Sequence, residues 1–384
     1  MTIIGENPRQ VNLDFQIWEV PLLKQILCMA SEPWSSSMPG RTQQLVSRLR
    51  DAQVLYFSPA RSPKDRAFRQ RGRQVRPNVT VCTLPPIPFP ISERRRLLFR
   101  LAWNHVSQFI QDIAARKDFS EPLLWTTHPR HIHLVDRLEL GALVYACAKA
   151  WARLPPHWEG GRAQAAAVVF AASPQLADRL SPCSSNIALL PNGINLPLFQ
   201  PSATRTDPLP GVTAPIFGWC GALRAGLDLS PVLLAAQARP DWGFLLLGPV
   251  ESENPFLHRL NKLSNVFLPG ARPASEVPDW LYRCDVLLDL LREDRPYDDV
   301  VSPRLYEYLA TGKPVVTMLW PGQVEQFPDV VYNAHDPDEF ITLCGHALEE
   351  APGFSHRRMD RAAGAAWPRR VEEVEHILTT AGLL

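Results

Sequence analysis

The stretch SPRLYEYLATGKPVV, Ser302 to Val316, reads as a helix that stops in a turn and runs into a strand. Ser302 stands where an N-cap hydroxyl belongs, and Pro303 takes the first helical position, where a missing N–H costs nothing and the ring pre-sets φ. Gly312 sits just past the helix end, where a left-handed backbone is favoured, and Lys313 and Pro314 close the turn before the β-branched Val315 and Val316. Immediately upstream, DVLLDLL (Asp285 to Leu291) is a short apolar run of strand type. Strand, loop, helix and strand in series make the repeating unit of a parallel sheet.

Outward from this unit the rhythm continues in both directions. Strand PIFGWCG, helix DLSPVLLAAQA, strand GFLLLG, helix PFLHRLNKL, strand NVFLPG and helix SEVPDWLYR precede it, and strand PVVTML closes it, which predicts a doubly wound sheet. From Met359 to Leu384 the chain reads as helical, broken at Pro368, with Val371, Val374, Ile377 and Leu378 on one face.

Pro197 to Pro215 is proline-rich and lacks a hydrophobic period, so it reads as a linker. Ahead of it lies a second alternating series: strand QILCMA, helix GRTQQLVSRLR, strand AQVLYFSPA, strand NVTVCTLPPIPFP, then PLLWTTHP, LGALVYACA, AAAVVFAAS and NIALLPNGI. Arg61 to Arg76 is dense in arginine and reads as an exposed loop. Ser92 to Lys117, led by Arg94, Arg95 and Arg96, reads as one long amphipathic helix. The expected division is a polar extension over 1–20, a Rossmann-like domain over 21–196, the linker over 197–215, a second Rossmann-like domain over 216–366, and a helix over 367–384 packing back toward the first domain.

Composition agrees with two cores: 384 residues, 46% of them hydrophobic, exceed what one domain ordinarily holds. The chain has no long uncharged apolar run, and its start, MTIIGENPRQVNLDF, lacks the pattern of a leader, which argues against a membrane span and export and for a cytoplasmic location. The 7 cysteines are scattered and unpaired in spacing, as reduced core residues would be. Up to Gln200 there are 24 basic and 14 acidic residues, beyond it 16 and 25, so the halves carry +10 and −9. A basic first half suits a phosphate-bearing acceptor or the anionic inner face of the cell membrane, with no nucleic-acid motif; a solvated mixed-sign surface is the plain alternative.

In open parallel sheets ligands bind beyond the carboxyl ends of the strands, which directs attention to two C-terminal loops. In WCGALRAGLD, Gly221 lets main-chain amides approach a phosphate and Arg224 adds charge, although a glycine after a strand is also an ordinary tight turn. In LREDRPYDDVVSPRLYEYLATGKPVV, the helix opening at Ser302 offers unpaired N–H groups to a pyrophosphate, Arg304 and Arg292 can neutralise it, and Glu307 can accept from ribose hydroxyls. Read blandly, Glu307 is a solvated first-turn carboxylate and the two arginines are surface residues. His128 in WTTHP, with His131 and His133 after it, either meets an acceptor as contact or base or is a surface-loop histidine. No residue cluster of metal-ligand character occurs, so no metal and no cofactor are expected.

SPRLYEYLATGKPVV resembles the signature helix of GT-B glycosyltransferases, in particular the family-four-like (group 1) bacterial enzymes that build cell-surface polysaccharides. AAAVVFAASPQLADRL, the hinge LLPNGINLPLF, and GWCGALRAGLD with GFLLLGPV follow the family's order, and PWSSSMPGRTQQLVSRLRDAQVLYFSPA looks like its first βαβ unit. The resemblance implies an α/β GT-B fold, two Rossmann-like domains facing across a cleft, the first for the acceptor and the second for a UDP- or GDP-sugar donor. It implies that Glu307 holds the donor ribose, that Ser302, Pro303 and Leu305 line the nucleotide and diphosphate site, and that Gly221 faces the diphosphate. Leu223, Arg224, Gly248 and Asp299 fall on the donor side too, and Arg292, Arg304, Glu307 and His128 form the expected catalytic set. The implied reaction moves a sugar to a hydroxyl of a saccharide or lipid-linked acceptor in surface polysaccharide biosynthesis.

Three positions depart from the family pattern. Asp299 replaces a glutamate eight residues before Glu307; Gly221, Ala222, Leu223 and Arg224 stand where relatives have a Gly-Arg-Leu turn and a lysine; and LVYACAKAW carries Ala146, Ala148 and Lys149 where acidic residues are common. These changes motivate a competing expectation, a catalytically silent sugar-nucleotide-binding scaffold; a sugar-nucleotide epimerase on the same architecture is a second alternative.

Overall fold

The computed structural model describes residues 24–36, 39–60, 62, 64–86, 95–151, 154–199, 212, 214–290 and 299–384. The first half builds an eight-stranded sheet from β1 (Lys24–Met29), β2 (Ala52–Ser58), β3 (Arg73–Arg76), β4 (Val79–Thr83), β5 (Leu123–Thr126), β6 (Ala142–Cys147), β7 (Val168–Ala171) and β8 (Ile187–Leu189). Their order is β3-β4-β2-β1-β5-β6-β7-β8, parallel except for β3 against β4. Helices α1 (Arg41–Val46), α2 (Arg96–Ala115), α3 (Pro156–Ala165) and α4 (Pro174–Leu180) connect them.

The second half builds a fully parallel six-stranded sheet, β11-β10-β9-β12-β13-β14. Its strands are β9 (Ile216–Cys220), β10 (Gly243–Leu247), β11 (Val266–Gly270), β12 (Val286–Asp289), β13 (Val315–Thr317) and β14 (Tyr332–Asn333). Helices α5 (Ser230–Ala238), α6 (Leu257–Leu260), α7 (Val277–Tyr282), α8 (Pro303–Ala310), α9 (Pro321–Val324), α10 (Pro337–Leu348) and α11 (Gly353–Gly364) cover its two faces, and α12 (Trp367–Thr380) ends the chain.

The central strands are apolar runs because both faces are covered: β10 and β12 are buried along their whole length. Each sheet carries one core on either face. On one face of the first sheet Trp103, Val106, Ile110 and Ile113 of α2 pack over Leu27, Leu55 and Leu124. On the other, α12 crosses back from the second half and places Trp367, Val371, Val374 and Leu378 against Val54, Trp125 and Val144. Pro368 lies at the start of α12, where it is compatible with the helix.

One expectation is corrected. The arginine-rich segment is not wholly a loop: Ala67–Gln70 forms a 3-10 turn and Arg73–Arg76 is β3, paired antiparallel to β4 with Arg73 opposite Val81. A charged sequence can be a strand at a sheet edge because only one of its sides is hydrogen-bonded, and the charges deter further pairing. All seven cysteines are free thiols, and among the described residues no helix is long and apolar enough to cross a membrane. Arg292 lies outside the described residues, as does most of the proline-rich stretch after Phe199.

Candidate functional site

A cavity of about 380 Å³ opens between the carboxyl ends of the two sheets. The first sheet contributes Glu32 after β1, Thr127 after β5, Lys149 and Trp151 after β6, and Asn192 after β8; the second contributes Asp289 at the end of β12 and Ser302 to Leu305 at the start of α8. Strand ends converge here because every strand around the cleft is parallel to its neighbours.

The α8 start has Ser302 in extended backbone with Pro303 behind it, as the sequence predicts, but the Ser302 hydroxyl makes no cap hydrogen bond. Its Oγ is buried, without a partner among the described residues, and the residue lines the cavity. The first-turn amides of α8 therefore lack the side-chain acceptor that a serine N-cap normally supplies.

Arg304 donates from Nε and Nη2 to Asp289 Oδ1 at 2.8 and 2.6 Å, and its guanidinium lies 5.1 Å from the Trp219 ring centre. Burial works against this charge, but the adjoining Asp289 carboxylate holds the guanidinium protonated well above its ordinary range. Its Nη1 stands 2.6 Å from the point a Cβ on Gly221 would occupy. Gly221, at φ +157°, thus leaves room for Arg304 and the Trp219 ring.

Glu307 is half-buried one turn further along α8, beside Arg304 and Cys220. No hydrogen bond or ion pair to its carboxylate is present among the described residues, and the side chain does not line the cavity. Burial pushes its pKa up to about 7, with Arg304 pulling the other way. An unpartnered, partly desolvated carboxylate is an acceptor in want of donors.

The remaining donor-side candidates are placed differently. Leu305 lines the cavity, but its side chain belongs to the core with Leu309 and Val315. Leu223 is likewise a core residue; only its backbone serves the loop, bridging to Val250. Arg224 turns to Glu251 at 3.1 Å, where both side chains are exposed. Gly248, at φ +149°, packs on Gly221: a Cβ there would lie 1.7 Å from the Gly221 carbonyl oxygen. Asp299 is buried, and its carboxylate accepts from the Gln175 N–H of α4 at 2.8 Å, so it reaches into the first domain and not into the cavity.

His128 also departs from the role of a base. Its Nδ1 accepts from the Arg130 N–H at 3.1 Å and caps the 3-10 turn Pro129–Arg137, which leaves the proton on Nε2, and the ring lies 4.2 Å from that of Trp151. Burial, followed by Arg130, Lys149 and Arg162, lowers its pKa to about 4. It is a neutral hydrogen-bond donor with its lone pair in use. His131 is likewise held well below its ordinary range, by burial first and then by neighbouring Arg162, His128 and Arg130.

Two cavity residues escaped the sequence reading. Asp289 interrupts the apolar run DVLLDLL, and a carboxylate buried in a strand requires a cation, which was the available signal. Arg41 at the head of α1 donates to the Pro191 carbonyl at 2.8 Å, the Asn192 Oδ1 at 3.1 Å and the Leu190 carbonyl, all neutral acceptors. Burial lowers its pKa to about 10, so it stays charged, and it faces the cavity opposite Arg304 with no carboxylate bound to it among the described residues. No group of three or more histidine, cysteine or acidic side chains suited to a metal occurs among the described residues.

With this geometry in view, comparison with known proteins is informative. Residues 230–379, which include β12, α8 and β13, match the family model described as glycosyl transferase-like. Over 177 residues the chain is 29% identical to TuaH of Bacillus subtilis (strain 168), named for a glycosyltransferase role in teichuronic acid biosynthesis; the match spans 44% of this chain and 44% of that protein.

Among solved structures, the sucrose-phosphate synthase of Thermosynechococcus elongatus superposes with a TM-score of 0.68 at 16% identity over 93% of this chain and 98% of that one. A trehalose-6-phosphate protein of E. coli bound with UDP-2-fluoro glucose gives 0.68 at 10% identity, over 92% and 99%. WaaG, a glycosyltransferase of lipopolysaccharide biosynthesis, gives 0.60 at 14%, over 92% and 99%. Over the 92% or more of its length that these superpositions cover, the chain has the GT-B fold.

Proposed function

We propose that this chain is a glycosyltransferase that takes a sugar from a nucleoside-diphosphate sugar, UDP- or GDP-linked, and places it on a hydroxyl of a saccharide or lipid-linked acceptor in surface polysaccharide biosynthesis. The observation that carries this reading is the start of α8: an N-terminus to which no described side chain gives a cap, with Ser302 and Arg304 among the residues that line one cleft and Arg41 opposite. Amide N–H groups and two guanidinium groups suit the charge that gathers on a departing diphosphate. The bond from the anomeric carbon to the diphosphate oxygen breaks with its electron pair on the diphosphate, a bond from that carbon to the acceptor oxygen forms, and the hydroxyl proton is released to the departing diphosphate or to solvent.

Glu307, one turn along α8 from the cavity wall, is assigned to the nucleotide end, since no partner to its carboxylate occurs among the described residues and a ribose offers two hydroxyl donors. The second structural neighbour named above holds a UDP-sugar analogue, and the relative from B. subtilis is named for surface-polymer synthesis; both accord with the substrate classes proposed.

The first domain supplies a membrane-facing element. On the first turns of α2, Leu97, Leu98 and Leu101 are 80%, 44% and 63% exposed, interleaved with Arg95, Arg96 and Arg100. Apolar side chains among arginines suit the anionic inner face of a membrane, where a lipid-linked acceptor resides. Pelleting with phosphatidylglycerol vesicles tests this: wild type sediments, the Leu97→Ser/Leu101→Ser variant does not, and absence of wild-type binding overturns it.

The central experiment is calorimetry with UDP, GDP and their sugars, followed by turnover with an acceptor panel. Micromolar binding that Glu307→Ala abolishes, together with transfer or donor hydrolysis, is the expected result. Binding with neither reaction, unaffected by Glu307→Ala, favours a scaffold, and donor conversion without an acceptor favours an epimerase.

A further inference from the structure

The segment Asp299 to Ser302 belongs to the second domain by sequence and is held there by its backbone. Gln326 donates from Nε2 to the Asp299 carbonyl, and Gln323 from Nε2 to the Val300 carbonyl, each at 3.0 Å. Its side chains belong elsewhere. The Asp299 carboxylate accepts from the Gln175 N–H at 2.8 Å, so the second domain supplies an acceptor for the first turn of α4, beside the turn's own Ser173 cap. Val300, 7% exposed, sits in the first domain's core with Ala172 and Leu176. From the hinge, Asn192 donates from Nδ2 to the Val301 carbonyl at 2.8 Å. The next residue is Ser302, at the cavity wall.

We propose that Asp299 and Val300 form a strut through which the first domain fixes the start of α8, so that seating the domains together and presenting Ser302 and Arg304 to a diphosphate are one event. Asp299 is then a positioning residue and not a sugar ligand. Its shorter side chain fits that use: it ends on a main-chain amide of the opposite domain. Gly322 supports the same arrangement, because a Cβ there would come within 3.0 Å of the Asp299 Cβ. The strut itself stands on contacts within this chain; only its consequence for ligand binding rests on the donor reading above.

The test separates the two. Amide exchange at Gln175 and small-angle scattering are measured on ligand-free wild type, Asp299→Ala, Val300→Ser and Asp299→Asn, and UDP affinity is measured on each. Loss of a charge-assisted hydrogen bond raises exchange at Gln175 about tenfold in Asp299→Ala. Val300→Ser, which leaves the carboxylate in place, is expected to broaden the scattering envelope and to weaken UDP binding about tenfold. Asp299→Asn keeps an acceptor oxygen and is expected to stay within about threefold of wild type in both exchange and affinity. Unchanged exchange and scattering in both Asp299→Ala and Val300→Ser overturn the strut, and so does Asp299→Ala losing UDP-sugar affinity while Val300→Ser keeps it. If wild type does not bind UDP at all, the proposed function fails while the exchange and scattering results still decide the strut. Should Asp299→Ala not fold, Gly322→Ala displaces the same carboxylate and is expected to show the same rise in exchange; no rise overturns the proposal.

Discussion

Arg304 gives two of its nitrogens to a single oxygen of Asp289, from Nε at 2.8 Å and from Nη2 at 2.6 Å, and keeps Nη1 for the side where Gly221 lacks a Cβ. The pair joins the end of β12 to the first turn of α8, so the carboxylate that ends one element aims the cation that opens the next. Asp289 is 1% exposed, and deleting one member of a buried pair leaves the other unpaired. Asp289→Ala is expected to destabilise the second domain by about 3–5 kcal/mol in urea unfolding. The double replacement Asp289→Leu/Arg304→Met, which removes both charges, is expected to recover most of that loss. Equal stability of the single and double variants would show that the pair does not hold β12 to α8.

Gly221 and Gly248 make contrasting predictions although each has a φ outside the range that side chains favour. A Cβ on Gly221 would meet the far end of Arg304 at 2.6 Å and the Trp219 ring at 2.9 Å, so Gly221→Ala should fold at a cost of about 1–3 kcal/mol and swing Arg304 off its position. UDP affinity by calorimetry is expected to fall about tenfold, which is the cost of one misplaced charged contact. At Gly248 the obstacle is the Gly221 carbonyl itself, 1.7 Å from the added carbon, and a backbone cannot rotate aside. Gly248→Ala is expected to give insoluble protein or a molten second domain by near-ultraviolet circular dichroism.

Glu307 is protonated more readily in the native chain than unfolded, with a pKa of about 7 against 4.5. Between those values the native state holds the extra proton, so its stability falls as pH rises through the window and the penalty is complete above about 7. Glu307→Gln removes that penalty. Its melting temperature should exceed that of wild type at pH 8 and the excess should vanish by pH 4.5, while affinity for UDP drops about tenfold or more. A melting advantage that is constant across this range would place the carboxylate in open water.

Much of the fold is written in short-range pattern. The parallel order of β9, β12 and β13 follows from apolar runs separated by helices, because a parallel strand needs a crossover and the crossover must be amphipathic. The α8 start was readable from Ser302 and Pro303 for the same local reason. What the sequence did not convey is which partner each loop residue meets across the cleft. Asp299 and Glu307 share one loop-helix unit, yet one is used by α4 of the opposite domain and the other lies beside Cys220; spacing along a chain carries no information on where a second domain will sit. Arg41 was read only as part of an amphipathic helix, since its acceptors are carbonyls at positions 190 and 191, remote in sequence.

His128 offers the sharpest contrast between position and chemistry. It follows β5 at the edge of the cleft, where a general base would be sought, yet its only free nitrogen lone pair is used by the Arg130 N–H. In the unfolded chain it takes up a proton near 6.5, whereas the native ring refuses it until about 4, so the unfolded state binds more protons between those values and native stability declines as pH falls through them. His128→Gln can keep the cap through its amide oxygen and carries no proton to gain. The variant is therefore expected to match wild-type stability at pH 8 and to lose less than wild type on acidification from 6.5 to 4, by at most one proton in the slope of unfolding free energy against pH. In transfer assays kcat/KM should remain within about threefold of wild type, because hydrogen-bonding side chains of this kind are replaceable where a general base, worth roughly 10²–10⁴, is not. A loss of two orders of magnitude with the cap intact would restore the histidine to the proton-transfer step.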